Sequence, residues 1–254
     1  MDATRISDNR FVLLKSIEKS VHPYEVEIGT FFSSPPLAGD KQNHCVPIYD
    51  VLQDPNDDDI VIIVMPLLRK YNDPRFDTVG EAVSFFSQIF EVSHVRRFCA
   101  TPPIHRIDRV YNLCTSIMLH TGRFHCQHPG LYQSYSVSDC MHLNIMMDAS
   151  PLYPVPYHPR VPDMRRDFKT TVKHLTRTQK PVKYYLTDFG ISRRYAPDVV
   201  PLEDPIRGGD KTVPEFQTSN DPQNPFPTDV YYLGNLIRCD FIQVGCEASQ
   251  LSPI

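Results

Sequence analysis

"YYLTDFGISRRY", residues 184–195, closes a short apolar run on Asp188-Phe189-Gly190 and follows it with two arginines. Such a tripeptide at a strand end has two readings. Its carboxylate either holds a cation beside bound phosphates, or it is the polar punctuation that ends any strand. The residues placed around it by the rest of the chain decide between them.

The chain has 254 residues, 41% hydrophobic and 22% charged, enough for one large domain or two small ones with an ample core. A formal charge of −4 gives no overall attraction to nucleic acid or to a membrane surface, and neither is expected as a partner. The basic stretch Arg165–Arg194 reads as a solvated loop face, with an anionic partner as the alternative. Seven cysteines, without a Cys-x-x-Cys pair or a secretory leader, point to reduced thiols in an intracellular, non-secreted protein. The apolar run "IVIIVM" (60–65) is too short to span a bilayer and suits a buried strand. Prolines number 24 and crowd the region after 150, which therefore reads as long loops between elements.

Outward from the opening stretch, the periodicities predict strands at 10–19, 143–148 and 182–188 and a hairpin of 45–53 with 60–68. A helix is expected from Pro23, with Glu25 and Glu27 in its first turns and Val26, Ile28, Phe31 and Phe32 near one side. A second, over 77–91, aligns Val79, Val83, Phe86 and Phe90. A third, over 228–242, has Thr228 or Asp229 as its cap. The fold class is α+β, with a strand-rich first part and a helix-rich second part.

Taken in order, the motifs resemble the protein-kinase fold, and are most similar to protein-kinase-like proteins of mushroom-forming fungi, over roughly 10–91 and 137–242. The resemblance implies a two-lobe architecture: a strand-rich lobe over 10–68, a hinge near 66–73, and a helical lobe over 74–254 that includes a proline-rich loop at 149–181. It also implies that both lobes are incomplete, since no glycine-rich phosphate loop stands before Lys15 and the later helices are not represented.

The same resemblance assigns roles. Lys15 would clamp the nucleotide phosphates, with Glu25 as its ion-pair partner and Glu27 as the alternative. Met65 would line the back of the adenine pocket, Pro66 would stand where only a carbonyl is needed, and Leu68 would offer N–H and C=O to adenine. Asp139 and Asn144 carry the Asp-x4-Asn spacing of a catalytic base and a metal ligand, and Asp188 would be the second metal ligand. Phe189 and Gly190 complete that segment, Glu215 sits in the Val213-Pro214-Glu215 triplet, and Asp229 would brace the catalytic loop, with Gly234 allowing close packing. Val137-Ser138 replaces the His-Arg pair of the family, and Asp188 falls 44 residues after Asn144, a long connection shared with the fungal group.

Segment 92–136 departs from both flanking blocks. It is rich in Cys, His and Arg, has no sustained period, and reads as inserted sequence foreign to the fold, such as a retained intervening stretch. A rival reading is a zinc site from Cys99, Cys114, Cys126 and Cys140 with neighbouring histidines, although these cysteines lack close pairing. For the whole chain, the resemblance implies ATP- and Mg2+-dependent phosphoryl transfer to Ser or Thr of a protein substrate. The alternative is an inactive kinase-like scaffold or a fragment.

Overall fold

The structure, a computed structural model, describes residues 1–93, 134–136, 140–195, 202–205 and 210–243. Its α+β elements are small antiparallel sheets and few helices. Contacts divide the chain into two units, Met1–Ser93 with Ile145–Gly190 and His94–Asn144 with Ile191–Ile254.

In the first unit a four-stranded antiparallel sheet runs in the order β1 (Asp2–Thr4), β2 (Phe11–Glu18), β4 (Ile60–Pro66), β3 (Asp50–Gln53). Strand β4 is interior, and its β-branched run is mostly buried. Strand β3 lies at the edge and is exposed throughout. The connecting turn is closed by aspartates that accept nearby backbone N–H groups, Asn56 to Asp54 at 2.8 Å and Asp59 to Asp57 at 2.9 Å. The expected strand at 45–53 is shorter than predicted. Pro47 has no N–H to give a ladder, and the residues before it pair elsewhere. Leu186 donates to the His44 carbonyl at 2.7 Å, and Val46 donates to that of Leu186 at 2.9 Å.

That pairing joins a second sheet, β5 (Arg69–Lys70), β7 (Ile145–Met147) and β8 (Tyr184–Leu186), with β7 in the middle. Strand β8 leads directly into Asp188, and it is held from several sides. The Gln88 side chain accepts from the N–H of Tyr184 at 3.1 Å and donates to the carbonyl of Val182 at 3.0 Å, replacing a strand partner.

Gln88 belongs to helix α2 (Val79–Ser93). The expected face is buried only toward its C-terminal end, where Phe90 is enclosed and Phe86 half-buried. Val79 and Val83 are exposed, whereas Glu81, Phe85 and Ile89 point inward. Phe85 stacks on Tyr71 at 4.8 Å between centroids and meets Tyr184 edge-on at the same distance. Glu81 is tolerated inside because its carboxylate accepts the N–H of Asp77 at 2.8 Å, the N–H of Thr178 at 2.8 Å and the Thr178 hydroxyl at 2.9 Å. A carboxylate on the inner face hides part of it from a reading that looks for apolar residues alone.

The basic stretch is mostly the solvated face expected of it, with Arg165, Lys169, Lys173 and Lys180 exposed, and it has one exception. Arg177 is buried, and its guanidinium donates to the carbonyls of Tyr71, Pro74 and Arg75 at 2.6–3.0 Å. Arg69, also buried, donates to Asp73 and to the carbonyl of Pro162. These two forks anchor the proline-rich excursion 149–181 to residues 69–75. Their bonds supply donors to carbonyls in a stretch where prolines offer none.

The second unit pairs β6 (Ser134–Ser136) with β9 (Arg193–Tyr195) and contains helices α3 (Pro214–Thr218) and α4 (Pro225–Ile237). Met141, Val213 and Tyr232 form its core cluster. Helix α4 starts at Pro225, so Thr228 and Asp229 are buried inside its first turns and do not cap it. Proline fits a first turn, where its missing N–H would have had no helical partner.

Candidate functional site

Strand β2 carries Lys15, and helix α1 (Glu25–Phe32) follows it after a turn in which the N–H groups of Val21 and His22 bond to the Glu18 carbonyl. The helix starts where Pro23 and two acidic residues place a start signal. Its buried face is Glu25, Ile28, Gly29 and Phe32, so Glu25, not Glu27, turns toward the sheet. Lys15 Nζ lies 2.5 Å from Glu25 Oε1 and 2.9 Å from Asp188 Oδ1. One ammonium therefore joins residues 10 and 173 positions away in the chain.

Exposure is graded across the three. Glu25 is 2% exposed at its side chain, Lys15 30% and Asp188 49%. The buried carboxylate fixes the ammonium from inside, and the exposed one faces solvent. Burial pulls the Lys15 ammonium down, but the hydrogen bonds and charges of Glu25 and Asp188 outweigh it and hold Lys15 above its ordinary value. For Asp188, burial pushes upward, and the Lys15 bond and charge, the Gly190 N–H and His22 hold its carboxyl below the usual range. Both groups are charged at neutral pH.

The turn that presents Asp188 is specific. Asp188 takes a left-handed φ of 65°, a conformation that aspartate tolerates better than most residues. Its Oδ1 also accepts the N–H of Gly190 at 3.2 Å, while Oδ2 accepts no hydrogen bond among the described residues. A Cβ at Gly190 would sit 3.0 Å from His22 Nδ1 and 3.1 Å from Asp188 Oδ1, so this position admits glycine alone without displacement. Phe189 is buried against α1, with its ring 6.2 Å from that of Phe32 and its Cδ2 3.6 Å from where a Gly29 Cβ would stand.

Met65 is buried opposite Leu13, and Pro66 lies opposite Val12. The half-buried Leu68 follows, just before β5. A cleft of about 480 Å3 opens nearby, lined by Phe11, Tyr49, Pro66, Asp148, Tyr153 and Tyr157 among others. Of the expected nucleotide contacts only Pro66 borders it; Lys15, Met65, Leu68 and Asp188 do not.

In the second unit, Asn144 ends a short 3-10 turn, His142–Asn144. Asp229 is buried and accepts the N–H of Cys140 through Oδ1 at 3.2 Å, which ties α4 to the backbone just after position 139. Glu215 lies in the first turn of α3, and its enclosed Oε2 accepts no hydrogen bond among the described residues. Asp139, Val137, Ser138 and nearly all of segment 92–136 lie outside the described residues, and with them Cys99, Cys114 and Cys126 of the zinc reading. Cys45 and Cys140 are buried and Cys239 is half-buried, and none of the three is in a disulfide among the described residues.

The described residues place no group of three or more His, Cys, Asp or Glu for a metal, and no helix among them is long and apolar enough to cross a membrane. Magnesium usually takes only one or two protein carboxylates and completes its shell with substrate phosphates and water. Asp188, with one oxygen uncommitted, fits that pattern. Sequence reasoning missed His22, whose Nδ1 lies 3.0 Å from the Gly190 carbonyl, because a lone histidine before a helix carries no motif.

Neither a scan against protein-family models nor a search of curated proteins returned a match to this chain.

Proposed function

We propose that the chain binds Mg-ATP at Lys15, Glu25 and Asp188 and is a protein-kinase-like phosphotransferase acting on Ser or Thr of a protein. The observation that carries this reading is the double engagement of Lys15 Nζ by Glu25 and Asp188. A kinase site needs a strand lysine paired to a helix glutamate and an aspartate for metal in the Asp-Phe-Gly segment. Support also comes from the strand order β1-β2-β4-β3 with a helix between β2 and β3, which sets the lysine and the glutamate on facing elements.

In this reading Lys15 binds phosphate oxygens and Glu25 orients Lys15. Phe189 seats the Asp188 turn against α1, and Pro66 and Leu68 meet the base. Asp188 would hold magnesium, which when bound would supply charge neutralisation at the phosphates. Asp139 would accept the proton of the attacking hydroxyl, and Asn144 would be a metal ligand. Asp229 would hold that loop through the Cys140 N–H.

A second reading, a nucleotide-binding scaffold without turnover, is favoured by Val137-Ser138 in place of the His-Arg pair. The test is sequential. Mg-ATP should raise the melting temperature of the full chain, and Asp188→Asn should remove the shift. Asparagine tolerates the left-handed turn, so this variant tests the charge without straining the backbone. Transfer of labelled phosphate that disappears in Asp139→Asn establishes the enzyme. A Mg-ATP shift without transfer establishes the scaffold, and no shift at millimolar Mg-ATP rejects both.

A further inference from the structure

The proline-rich excursion 149–181 does more than connect β7 to β8. Its tip is a narrow loop closed by the bridge of Met164 to Thr171 and by the bond from the Arg165 N–H to the Thr170 carbonyl at 3.0 Å. Its base is fastened to 69–75 by the buried forks of Arg69 and Arg177. The tip itself delivers Arg166 to the four-stranded sheet. There the Arg166 guanidinium bonds Asp2 Oδ2 at 3.1 Å and stacks 4.0 Å from the centroid of the Phe11 ring.

The place of that contact matters. Alternate residues of a strand share a face, so Phe11 and Leu13 lie on the side of β2 that carries Lys15. Directly opposed residues of neighbouring strands point to the same side. Asp2 stands opposite Leu13 on β1, and Met65 stands opposite Leu13 on β4. The row Asp2–Leu13–Met65 therefore crosses the sheet beside Lys15. A nucleotide with its phosphates at Lys15 and its base toward Met65 and Leu68 must lie over this row, and the Arg166 guanidinium covers its Asp2 end and the adjoining ring.

We infer that the excursion is a built-in strap whose Arg166 occupies the base side of the nucleotide site, so that binding requires Arg166 to leave Asp2 and Phe11. This rests on the nucleotide reading of Lys15 and Asp188 and specifies how that site is regulated. The latch is weak enough to open. Asp2 and Arg166 are each 30% exposed, and the enclosed NH1 of Arg166 has no hydrogen-bond partner among the described residues. A part-buried ion pair and one cation–π contact hold a strap closed by only a modest population ratio.

The experiment measures binding of two probes, Mg-ATP and Mg-tripolyphosphate, to the full chain and to Arg166→Ala and Asp2→Ala. Both substitutions should tighten Mg-ATP by roughly 3- to 30-fold. Tripolyphosphate has no base and reaches only the Lys15 and Asp188 side, so its affinity should stay the same in all three proteins. Mg-ATP affinity that is unchanged or weaker in the variants overturns the strap. Equal tightening of both probes overturns its placement on the base side. If neither probe binds any of the three proteins, the nucleotide reading itself falls and the strap falls with it.

Discussion

His22 Nδ1 and the carbonyl oxygen of Gly190 are 3.0 Å apart, which links the entry to α1 with the turn that carries Asp188. The residues are 168 positions apart, and nothing in the local sequence of either announces the other. The contact fixes the far end of the Asp-Phe-Gly turn, while Lys15 fixes its beginning.

His22→Ala should therefore loosen the turn without touching Lys15 or Glu25. One lost hydrogen bond is worth about 1 kcal/mol, so the Mg2+ concentration needed for half-maximal ATP binding should rise roughly 5-fold. His22→Asn places an amide where Nδ1 stood and should restore most of the affinity. A magnesium titration of the ATP-induced melting shift checks both, and an Ala variant indistinguishable from wild type would remove His22 from the site.

The ion-pair triad has a pH signature with opposite limbs. Asp188 titrates below its ordinary value in the folded chain, so its contribution to stability is complete above the unfolded value of about 4 and disappears as pH falls through the folded value. Lys15 titrates above its ordinary value, so its contribution is complete below the unfolded value of about 10.4 and disappears as pH rises through the folded one. Between about pH 5 and 9 the contribution should be flat. Lys15→Met leaves the buried Glu25 carboxylate without its cation. Because Lys15 is partly exposed, the cost should fall near the low end of about 3–5 kcal/mol. Lys15→Met with Glu25→Leu should recover part of that loss. Urea melts at several pH values measure both effects, and a double variant less stable than Lys15→Met alone would refute the pairing.

Two glycines make different demands. A Cβ at Gly29 would come 2.4 Å from Ile48 Cδ1, the free end of a side chain that can turn away. Helix propensity gains about 1 kcal/mol on changing Gly to Ala, so Gly29→Ala should leave stability within about 1 kcal/mol of wild type. At Gly190 the nearest atoms are His22 Nδ1 and Asp188 Oδ1, the polar groups that define the turn. Gly190→Ala should fold and lose Mg-ATP binding. Parallel melts and binding isotherms separate the two; equal binding by both variants would show that the Asp188 turn is not the site.

The pairing of Lys15 with Glu25 was legible from the order of the motifs, and β2, β4 and the presence of α1 from their apolar runs and start signal, although α1 buries Glu25 and Gly29 where Val26 and Phe31 were expected. The departures at α2 and in the basic stretch share one cause. Glu81, Arg69 and Arg177 are charged residues buried to satisfy backbone groups, and a pattern-based reading assigns charge to the surface. For Arg69 and Arg177, proline-rich segments create that need, since they carry carbonyls without matching N–H groups. Glu81 takes an inner position on α2 that a pattern assigns to an apolar residue, and Arg177 is a buried anchor in an otherwise solvated stretch. His22 and Arg166 act through contacts between segments more than 150 positions apart, for which a single sequence carries no signal.

That account makes Arg177 and Glu81 the test of what orders the excursion. Arg177 donates to three carbonyls and lies 4.4 Å from the Phe76 ring centroid. Lysine keeps the charge but has no planar fork, so Arg177→Lys should leave carbonyls unsatisfied and cost about 1–3 kcal/mol. Glu81→Gln turns one acceptor oxygen into a donor facing other donors, with a similar cost. Burial pushes the Glu81 carboxyl up, but the N–H groups of Asp77 and Thr178, the Thr178 hydroxyl and Arg177 prevail and hold it low. Its contribution is therefore complete above the ordinary value of 4.5 and fades as pH falls through the folded value, and Glu81→Gln should flatten that acid limb. In both variants amide exchange should accelerate across 157–178, with β2 and β4 unaffected. Faster exchange throughout the four-stranded sheet would mean that these residues stabilise the whole unit and do not selectively anchor the strap.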